Sequence, residues 1–404
     1  MTRLYLAVTL SIAALLRFWR LDQPAKLVFD EIYYVDGARD YLKSGVELDG
    51  AKAEFVVHPP FGKWLIAIGI KLFGDNPLGW RVSVAVVGTV SVLLIFLIAR
   101  KLFNSDFIAL CAALLTTIDG LHLVMSRVAL LDIFLMALML AGFLTFLYDR
   151  NFLTAIFLGL ALATKWSALY IIVALVIYLF ILKREKILIY LVTIPPIYLA
   201  TWLGWFNSNQ GYDRNFSSNP LLSLIEYHRK ILQFHTNLSV AHPYEASPWN
   251  WLFLGRPTSF FYETPKCGGA DCSQEILAMG TPVIWWAGLI SILLTLGYFI
   301  SRRDRVAGLI ALGFSANYLP WLFFPERTTF YFYAIAFQPF LILAICYAIQ
   351  LFLASGRGGR YSTVIVQSSI ALAALCFAYF LPIYLATTLS YEAWLARMWF
   401  PSWI

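Results

Sequence analysis

The sequence predicts an all-α protein that crosses a membrane many times. Of its 404 residues, 60% are hydrophobic and only 13% are charged, and the mean hydropathy is +0.73. Soluble domains carry about a quarter charged residues, so lipid must be part of this chain's solvent. The net charge of +7 is spread over short clusters between apolar stretches. That pattern indicates membrane topology rather than nucleic acid as a partner.

About eleven apolar stretches are candidate membrane spans, since roughly 20 residues cross a bilayer core. They are Leu4–Trp19, Arg81–Ala99, Phe107–Ile118, Leu123–Tyr148, Phe152–Ala163, Trp166–Leu182, Ile187–Phe206, Pro282–Ile300, Val306–Phe323, Phe330–Leu353 and Thr363–Thr388. Phe107–Ile118 and Phe152–Ala163 are short by this measure, so the count is open by one or two.

Basic residues fill every second connection between these stretches. They are Arg3; Arg100 and Lys101; Arg150; Lys183, Arg184 and Lys186; Arg302, Arg303 and Arg305; and Arg357 and Arg360. Lysine and arginine collect in short cytoplasmic loops. The pattern therefore predicts a cytoplasmic N-terminus and an extracytoplasmic C-terminus. No A-x-A-like cleavage site follows the first span, which we expect to be retained.

Two long loops, at about 20–80 and about 207–281, fall on the extracytoplasmic side of this topology. Long loops are usually functional, and the polar residues gather here, so we expect an enzyme at the outer face of the cell membrane. The chain divides into an N-terminal catalytic region, 1–206, and a C-terminal region, 207–404, with four spans. In an oxidising compartment, a disulfide between Cys267 and Cys272 is favoured over two free thiols.

Asp30 and Glu31 are adjacent acids in the first loop, within FDEIYYVDGARDYLKSG, where a helical pattern follows. Adjacent side chains on a helix point about 100° apart, so one acid can face a cavity while the other pairs with a cation. Alternatively, Asp30 is the N-cap of the helix and Glu31 lies in its first turn, where negative charge is favourable. Residue type alone leaves both hypotheses open.

The same loop continues with HPPFGKWLIAIGIKLFGDNPLGWR, a stiff segment and then a short apolar helix. His58 precedes two prolines, which restrict the backbone. The stretch Phe61–Phe73, which contains Lys63, is too short to span a bilayer and is predicted to lie in the interface plane. This helix can wall a groove for a lipid headgroup or act as a plain membrane anchor, and the two roles are compatible.

Several charged residues are predicted within or at the ends of spans, near the outer surface. They are Arg17, Arg81, Arg127, Asp132, Lys165 and Arg327. Such charges are costly and are functional candidates, although Arg127 and Asp132, five apart on one predicted helix, also suit a structural pair. One carboxylate and several cations fit sugar transfer from a polyprenyl phosphate. The carboxylate activates the acceptor hydroxyl, and the cations hold the departing phosphate.

Seven motifs occur in an order that resembles one family. They are FDEIYY, HPPFGKWLIA, FGDNPLGWR, MSRVALLD, ATKWSALY, SPWNWLFLGRPTSFFYE and YLPWLFFPERTTFYFY. They resemble the bacterial branch of the protein O-mannosyltransferases, membrane glycosyltransferases of the GT-C fold, over nearly the whole chain. The resemblance implies inverting transfer of mannose from polyprenyl-phosphate mannose to Ser or Thr hydroxyls of secreted or membrane polypeptides. The secretion machinery is then a candidate partner.

The resemblance also implies residue roles. Asp30 and Glu31 match the family's catalytic acidic pair, with Asp30 as the base. The expected ligands of the donor phosphate are Arg17, Arg81 and Arg327, which match cationic positions of the family, together with Lys165. The expected substrate groove contains His58, Lys63, Arg127, Asp132 and Arg256. Eukaryotic members have a His after the acidic pair, where this chain has Tyr33 or Tyr34, and a large lumenal insert that roughly 75 residues cannot hold. Both differences favour a prokaryotic enzyme.

No cofactor is expected to be required. A divalent metal site is still compatible with three residues of the second loop, His235, His242 and Glu245. Their spacing is not that of close metal ligands, so a packed lid is favoured for this stretch. Three other functions are compatible with the composition: a GT-C transferase of aminoarabinose or arabinose, a lipid-linked sugar flippase, and a structural scaffold. Against the first of these, the segments HPPFGKW and RPTSFFYE resemble the protein-directed family, which implies a protein acceptor. Polar groups gathered at one face argue against transport, and a scaffold needs no intramembrane arginines.

Overall fold

Helices build most of the protein in the computed structural model, which describes residues 1–182 and 184–404. Lys183, one of the predicted cytoplasmic cations, lies outside the described residues. The helices of the N-terminal region are α1 (Thr2–Phe18), α2 (Glu31–Lys43), α3 (Phe61–Phe73), α4 (Pro77–Phe103), α5 (Asp106–Thr117), α6 (Gly120–Met125), α7 (Asp132–Leu147), α8 (Asn151–Leu162), α9 (Ala168–Leu182), α10 (Ile187–Ala200) and α11 (Leu203–Asn207). A small antiparallel hairpin of two strands with two residues each, β1 (Leu48–Asp49) and β2 (Lys52–Ala53), lies between α2 and α3.

The C-terminal region adds seven helices among its described residues and a small antiparallel sheet. The helices are α12 (Pro220–Asn237), α13 (Pro248–Trp251), α14 (Pro282–Arg302), α15 (Arg305–Tyr318), α16 (Gln338–Ala354), α17 (Ser362–Tyr384) and α18 (Tyr391–Leu395). The strands are β3 (Thr258–Glu263), β4 (Lys266–Cys267), β5 (Ala270–Ala278) and β6 (Leu389–Ser390). Short 3₁₀ helices cover Arg184–Lys186, Leu319–Phe323, Tyr331–Ala336, Gly359–Tyr361 and Pro401–Trp403.

Every apolar stretch identified in the sequence contains a helix. Four helical segments of the described chain are long and apolar enough to cross a bilayer: Pro77–Phe103, Pro282–Arg302, Arg305–Phe323 and Gly359–Tyr384. Shorter apolar helices are α5, α7, α8, α9, α10 and α16. The chain is therefore a mostly helical membrane protein, as predicted, and the number of spans stays a prediction.

The start of α4 follows from local sequence. The side chain of Asn76 accepts hydrogen bonds from the backbone N–H groups of Leu78 and Gly79, both at 3.1 Å, and Pro77 occupies the first helical position, where a missing N–H costs nothing. Arg81 consequently lies in the second turn of α4. This position points it toward the loop that follows α1.

The predicted span Leu123–Tyr148 is wrong as a single helix. α6 ends at Met125 and α7 begins at Asp132, and no proline or glycine lies between them. The backbone N–H of Ala129 instead donates to Glu31 Oε1 at 2.8 Å, and the side chain of Arg127 reaches carbonyl groups of α1. Tertiary hydrogen bonds thus replace the helical ones in this segment.

The sheet in the second long loop was not predicted. β3 pairs with β5 from Thr258↔Ala278 to Glu263↔Gln274, with a bulge between Ser259 and Phe261. β4 and β6 also pair with β5. A disulfide joins Cys267 to Cys272 beside this hairpin, which confirms the favoured pairing. The fold class all-α is therefore correct for the membrane part but misses this sheet.

The helix predicted at Phe61–Phe73 is confirmed with the same bounds, and its orientation in the membrane stays a prediction. Its Lys63 is 3% exposed and forms an ion pair with the equally buried carboxylate of Glu47. Tyr41 donates a second hydrogen bond to that carboxylate at 2.9 Å. Lys63 therefore fastens α3 to the segment after α2.

We expect Lys63→Met to destabilise the protein by about 3–5 kcal/mol, because it leaves the carboxylate of Glu47 buried without a counterion. Thermal unfolding in detergent measures the effect. The exposed pair of Lys266 and Asp271 supplies the control, since Lys266→Met is expected to cost less than about 1 kcal/mol. Equal effects of the two variants would contradict a structural role for Lys63.

Candidate active site

Asp30 lies just before α2 in a sharply turned segment. The preceding residue, Phe29, has a φ of 47°, in the left-handed region that a bulky residue rarely adopts. Asp30 occupies the N-cap position of α2 and Glu31 lies in the first turn, as the alternative hypothesis placed them, but the side chain of Asp30 makes no capping hydrogen bond. Within the described chain, this half-buried carboxylate has neither a hydrogen-bond donor nor an ion-pair partner.

Glu31 has the opposite environment, since its carboxylate is fully buried and fully bonded. Oε1 and Oε2 accept parallel hydrogen bonds from Nε and Nη2 of Arg81, each at 2.8 Å. The backbone N–H groups of Val28 and Ala129 donate to the same two oxygens at 2.9 and 2.8 Å. One acid of the pair thus binds a cation, as expected, while its neighbour is left free.

The guanidinium of Arg81 is also saturated. Besides Glu31, it donates to the carbonyl oxygens of Leu21 at 3.3 Å, Pro24 at 2.9 Å and Lys26 at 2.8 Å. A guanidinium has five N–H donors, and all five are used here. Arg81 therefore has no free donor for a phosphate, which contradicts its expected role as a direct phosphate ligand. It fixes the loop between α1 and α2 instead.

A cavity of about 270 Å³ opens among α9, α12 and the 3₁₀ segment that follows α15. Its polar and aromatic lining residues include His58, Lys165, Trp166, Tyr170, His235, Trp321, Arg327 and Tyr333. The apolar side chains of Leu169, Leu232 and Phe324 also line it, and all three are exposed. The cavity thus combines two cations with an apolar rim.

Lys165 connects this cavity to the acidic pair. Its ammonium group pairs with Asp132 Oδ1 at 2.8 Å and lies 4.5 Å from the ring centroid of Tyr333. The second carboxylate oxygen of Asp132 is buried without a partner among the described residues. The predicted pair of Arg127 with Asp132 is therefore wrong, because Lys165 takes that place.

The pKa of Asp30 reflects the same neighbourhood. Burial raises the pKa of its carboxyl to about 6, the nearby charge of Lys165 lowers it, and the charge of Asp132 raises it. Asp30, Lys165 and Asp132 consequently form one electrostatic cluster. Near neutral pH the carboxyl is mainly ionised, yet close enough to its pKa to accept a proton.

Arg327 lines the same cavity and, like Lys165, lies over the ring of Tyr333, at 6.0 Å from its centroid. Its Nε donates to the carbonyl oxygen of His235 at 2.9 Å, and its guanidinium stacks 5.4 Å from the ring centroid of Trp321. Its Nη2 has no hydrogen-bond partner in the part of the chain described here. Unlike Arg81, it therefore keeps donors available for an anion.

Two imidazoles, those of His58 and His235, complete the wall with ring centroids 5.4 Å apart. Burial lowers the pKa of His235 to about 4 and holds that of His58 well below its usual range. Both rings are therefore neutral at physiological pH and act as hydrogen-bonding groups rather than as cations. In the described residues, no three His, Cys, Asp or Glu side chains are arranged to hold a metal ion.

Arg17 and Arg127 are buried away from the cavity. Arg17 donates to the carbonyl oxygen of Ala13 at 3.0 Å and contacts His122 Nδ1 at 2.7 Å. Arg127 donates to the carbonyl oxygens of Leu16 and Arg17, both at 2.9 Å, and so caps the end of α1. Neither guanidinium lines the cavity, so the expected substrate contacts of both residues do not agree with their positions.

Lys63 and Arg256 are also occupied elsewhere. Lys63 pairs with Glu47, as described above. Arg256 donates to the carbonyl oxygens of Pro243, Ser402 and Ile404 and so ties the second loop to the C-terminal segment. Of the predicted groove residues, only His58 lines the cavity itself. Asp132 lies directly behind Lys165.

Sequence reasoning missed the aromatic walls, Trp321, Tyr333 and Tyr170, and the role of His235 as a wall residue. The aromatic run YLPWLFFPERTTFYFY carried a usable signal, because it brackets Arg327 with rings able to stack on a cation.

Comparisons with known proteins identify the family and the fold. Residues 7–84 and 57–205 match the family described as dolichyl-phosphate-mannose-protein mannosyltransferase. Residues 220–403 match the C-terminal four-span region of protein O-mannosyltransferases. The fold resembles that of the Saccharomyces cerevisiae Pmt1–Pmt2 complex bound to the sugar donor, with a TM-score of 0.84 at 15% identity over 100% of this chain and 92% of that one. It also resembles ArnT from Cupriavidus metallidurans bound to undecaprenyl phosphate, with a TM-score of 0.58 at 18% identity over 98% of this chain and 71% of that one.

The fold is thus that of the GT-C membrane glycosyltransferases. The polyprenol-phosphate-mannose–protein mannosyltransferase of Corynebacterium glutamicum is 32% identical over 93% of this chain and 88% of its own length. The protein of the same name from Mycolicibacterium smegmatis is 31% identical over 98% of this chain and 92% of its own length. The chain belongs to the protein O-mannosyltransferase family.

The contrast between the two acids predicts opposite effects on stability. Glu31→Gln should destabilise the protein by about 3 kcal/mol or more, because the guanidinium of Arg81 then lacks a counterion in a buried site. Asp30→Asn should leave the melting temperature unchanged or raise it, since a carboxyl with a raised pKa is more stable in the neutral form. Thermal unfolding of both variants in the same detergent measures this. A lower melting temperature for Asp30→Asn alone would contradict the assignment.

Proposed function

We propose that this enzyme transfers mannose from polyprenyl-phosphate mannose to Ser or Thr hydroxyls of polypeptides, with inversion at the sugar. Family membership supports the reaction class. The single observation that carries the proposal is the unpaired carboxylate of Asp30 beside a cavity that holds Lys165 and Arg327. Glu31 and Arg81 are committed to each other. Among the described residues Asp30 has no partner and Arg327 keeps a free Nη2, while Lys165, although paired with Asp132, lines the cavity. These three side chains are therefore the ones assigned to substrates.

The cavity suits the lipid-linked donor. The phosphate binds between Lys165 and Arg327, where one cation is a point charge and the other offers free N–H donors. The polyprenyl chain leaves over the exposed apolar rim at Leu169, Leu232 and Phe324. The neutral imidazole of His58 and the ring of Tyr333 remain to contact the sugar, because polar and aromatic groups commonly line such pockets.

The reaction needs one base and one anion site. The acceptor hydroxyl oxygen bonds to C1 of mannose on the face opposite the phosphate while the bond from C1 to the phosphate oxygen breaks. Asp30 takes the hydroxyl proton, and the bond electrons leave with polyprenyl phosphate. Lys165 and Arg327 stabilise the charge that develops there. A phosphate monoester leaves without protonation, so no second carboxylate is required. Glu31 and Arg81 act through the backbone by holding Asp30 in position.

Removing the carboxylate of Asp30 should stop mannose transfer while the protein stays folded. We expect Asp30→Asn to lower kcat by roughly 10²–10⁴-fold, as for the loss of a general base, with unchanged affinity for the donor. The assay is transfer of radiolabelled mannose from polyprenyl-phosphate mannose to a Ser- or Thr-containing peptide.

A pH profile checks the same assignment. Since only the ionised carboxylate accepts a proton, kcat/KM of the wild type should fall as pH drops through about 6, by up to tenfold per pH unit. Residual activity of Asp30→Asn should be flat over that range. A near-wild-type rate for Asp30→Asn would rule out this base.

Arg327 and Arg256 form a matched test of phosphate binding, because both are loop arginines that stack on an aromatic ring and donate to backbone carbonyls. Arg327→Lys should reduce transfer by roughly tenfold to a thousandfold, since lysine lacks the planar fork. Arg256→Lys should have little effect on kcat. If the two variants were equally active, Arg327 would not be a phosphate ligand.

The charge pattern of the short connections supports an orientation with the site on the outer face of the plasma membrane. In this orientation the N-terminus is cytoplasmic, the C-terminus is extracytoplasmic, and the secretion machinery delivers the acceptor polypeptide.

Cysteine labelling of intact cells tests this orientation. In a Cys376→Ser background, Ser239→Cys in the second long loop should react with a membrane-impermeant maleimide. Ser301→Cys, beside Arg302, should react only after the cells are permeabilised. Labelling of Ser301→Cys from outside would reverse the proposed topology.

A further inference from the structure

A second recess, of about 290 Å³, lies beside the segment that leads into Asp30. Its walls include Arg20, Gln23, Lys26, Phe261, Glu263 and Gln274. Phe261 and Glu263 are two residues apart on β3 and share one face of the sheet, and Gln274 is paired with Glu263 in register. The recess is therefore a polar groove between the α1–α2 segment and the face of the β3–β5 sheet.

Both walls of this groove are held in place. Arg81 donates to the carbonyl oxygens of Pro24 and Lys26, so the ion pair that positions Glu31 also positions the near wall. Lys26 crosses to the far wall, where its ammonium group pairs with Glu263 and lies 5.1 Å from the ring centroid of Phe261. The groove is thus a built feature of the fold rather than a gap between mobile loops.

The groove is also close to Asp30. Lys26 precedes Asp30 by four residues, a separation of at most about 14 Å along an extended chain. The ring of Phe29 stacks on that of Phe260 with centroids 4.8 Å apart, and Phe260 is the neighbour of the groove residue Phe261. None of the groove residues lines the cavity that contains Lys165 and Arg327. The groove and the cavity are therefore separate spaces, both near Asp30 although Asp30 lines neither of them.

We propose that this groove binds the acceptor polypeptide about three to five residues from the hydroxyl that is modified, and that it favours an acidic side chain there. This inference rests on the proposed function, in which the acceptor approaches Asp30 from a space not filled by the donor. The charge preference follows from Arg20, whose guanidinium has no ion-pair partner among residues 1–182 and 184–404. Glu263 already neutralises Lys26, so the groove keeps an excess positive charge.

The first test compares acceptor peptides with one Ser and either Glu or Lys four positions away. The wild type should show a KM about two- to fivefold lower for the Glu peptide, the range expected for one exposed ion pair. Arg20→Gln should abolish this preference with unchanged KM for the donor, and Arg20→Lys should keep it. Lys266→Gln removes an exposed cation from the neighbouring hairpin and should leave the preference intact. Equal KM values for both peptides in the wild type would overturn the charge preference.

The second test locates the peptide without requiring transfer. A peptide that carries a photoreactive benzophenone four positions from Ser is irradiated with the full-length protein, and the adduct is mapped by mass spectrometry. Adducts on 20–26 or 261–263 are expected, and adducts confined to other segments would overturn the groove. If the adducts are as expected but the wild type transfers no mannose, the proposed function fails while the binding site stands.

Discussion

The buried ion pair between Glu31 and Arg81 is the contact on which the rest of the site depends. It joins α4 to the start of α2. Its remaining hydrogen bonds reach the α1–α2 segment on one side and Ala129, between α6 and α7, on the other. A buried ion pair adds little net stability, because desolvation offsets the attraction, yet losing one partner is costly. Such a pair is therefore better suited to fixing a geometry than to stabilising a fold.

That geometry explains how two neighbouring carboxylates come to have different chemistry. Glu31 accepts four hydrogen bonds and is committed to structure. Asp30 accepts none within the described chain, and burial raises its pKa to about 6. The left-handed turn at Phe29 is held by the contacts of Glu31 and Arg81 on either side of it. Environment, rather than residue type, separates the positioning acid from the base that we propose.

Much of the fold was predictable because hydropathy is a local property. The helices of the membrane part and the short helix Phe61–Phe73 followed from the sequence, and so did the pairing of one of the two adjacent acids with a cation. Long-range pairing was not predictable. Their spacing on one predicted helix suggested an ion pair between Arg127 and Asp132, whereas in the fold Lys165 is the ion-pair partner of Asp132. The fold also breaks the predicted span Leu123–Tyr148 between α6 and α7, where the N–H of Ala129 donates to a residue 98 positions away. The arginines looked alike in sequence, but only the fold reveals that Arg17, Arg81 and Arg127 are saturated or buried while Arg327 keeps free donors.

The claim that Glu31 works only by positioning Asp30 can be tested with a double-mutant cycle on kcat for mannosyl transfer. Each single variant, Asp30→Asn and Glu31→Gln, is compared with the double variant at a temperature where all three are folded. If Glu31 acts through Asp30, the double variant should be no slower than Asp30→Asn alone. Once residue 30 cannot accept a proton, a change in its position no longer lowers kcat. A double variant whose loss equals the product of the two single losses would show that Glu31 contributes independently, and would contradict this account.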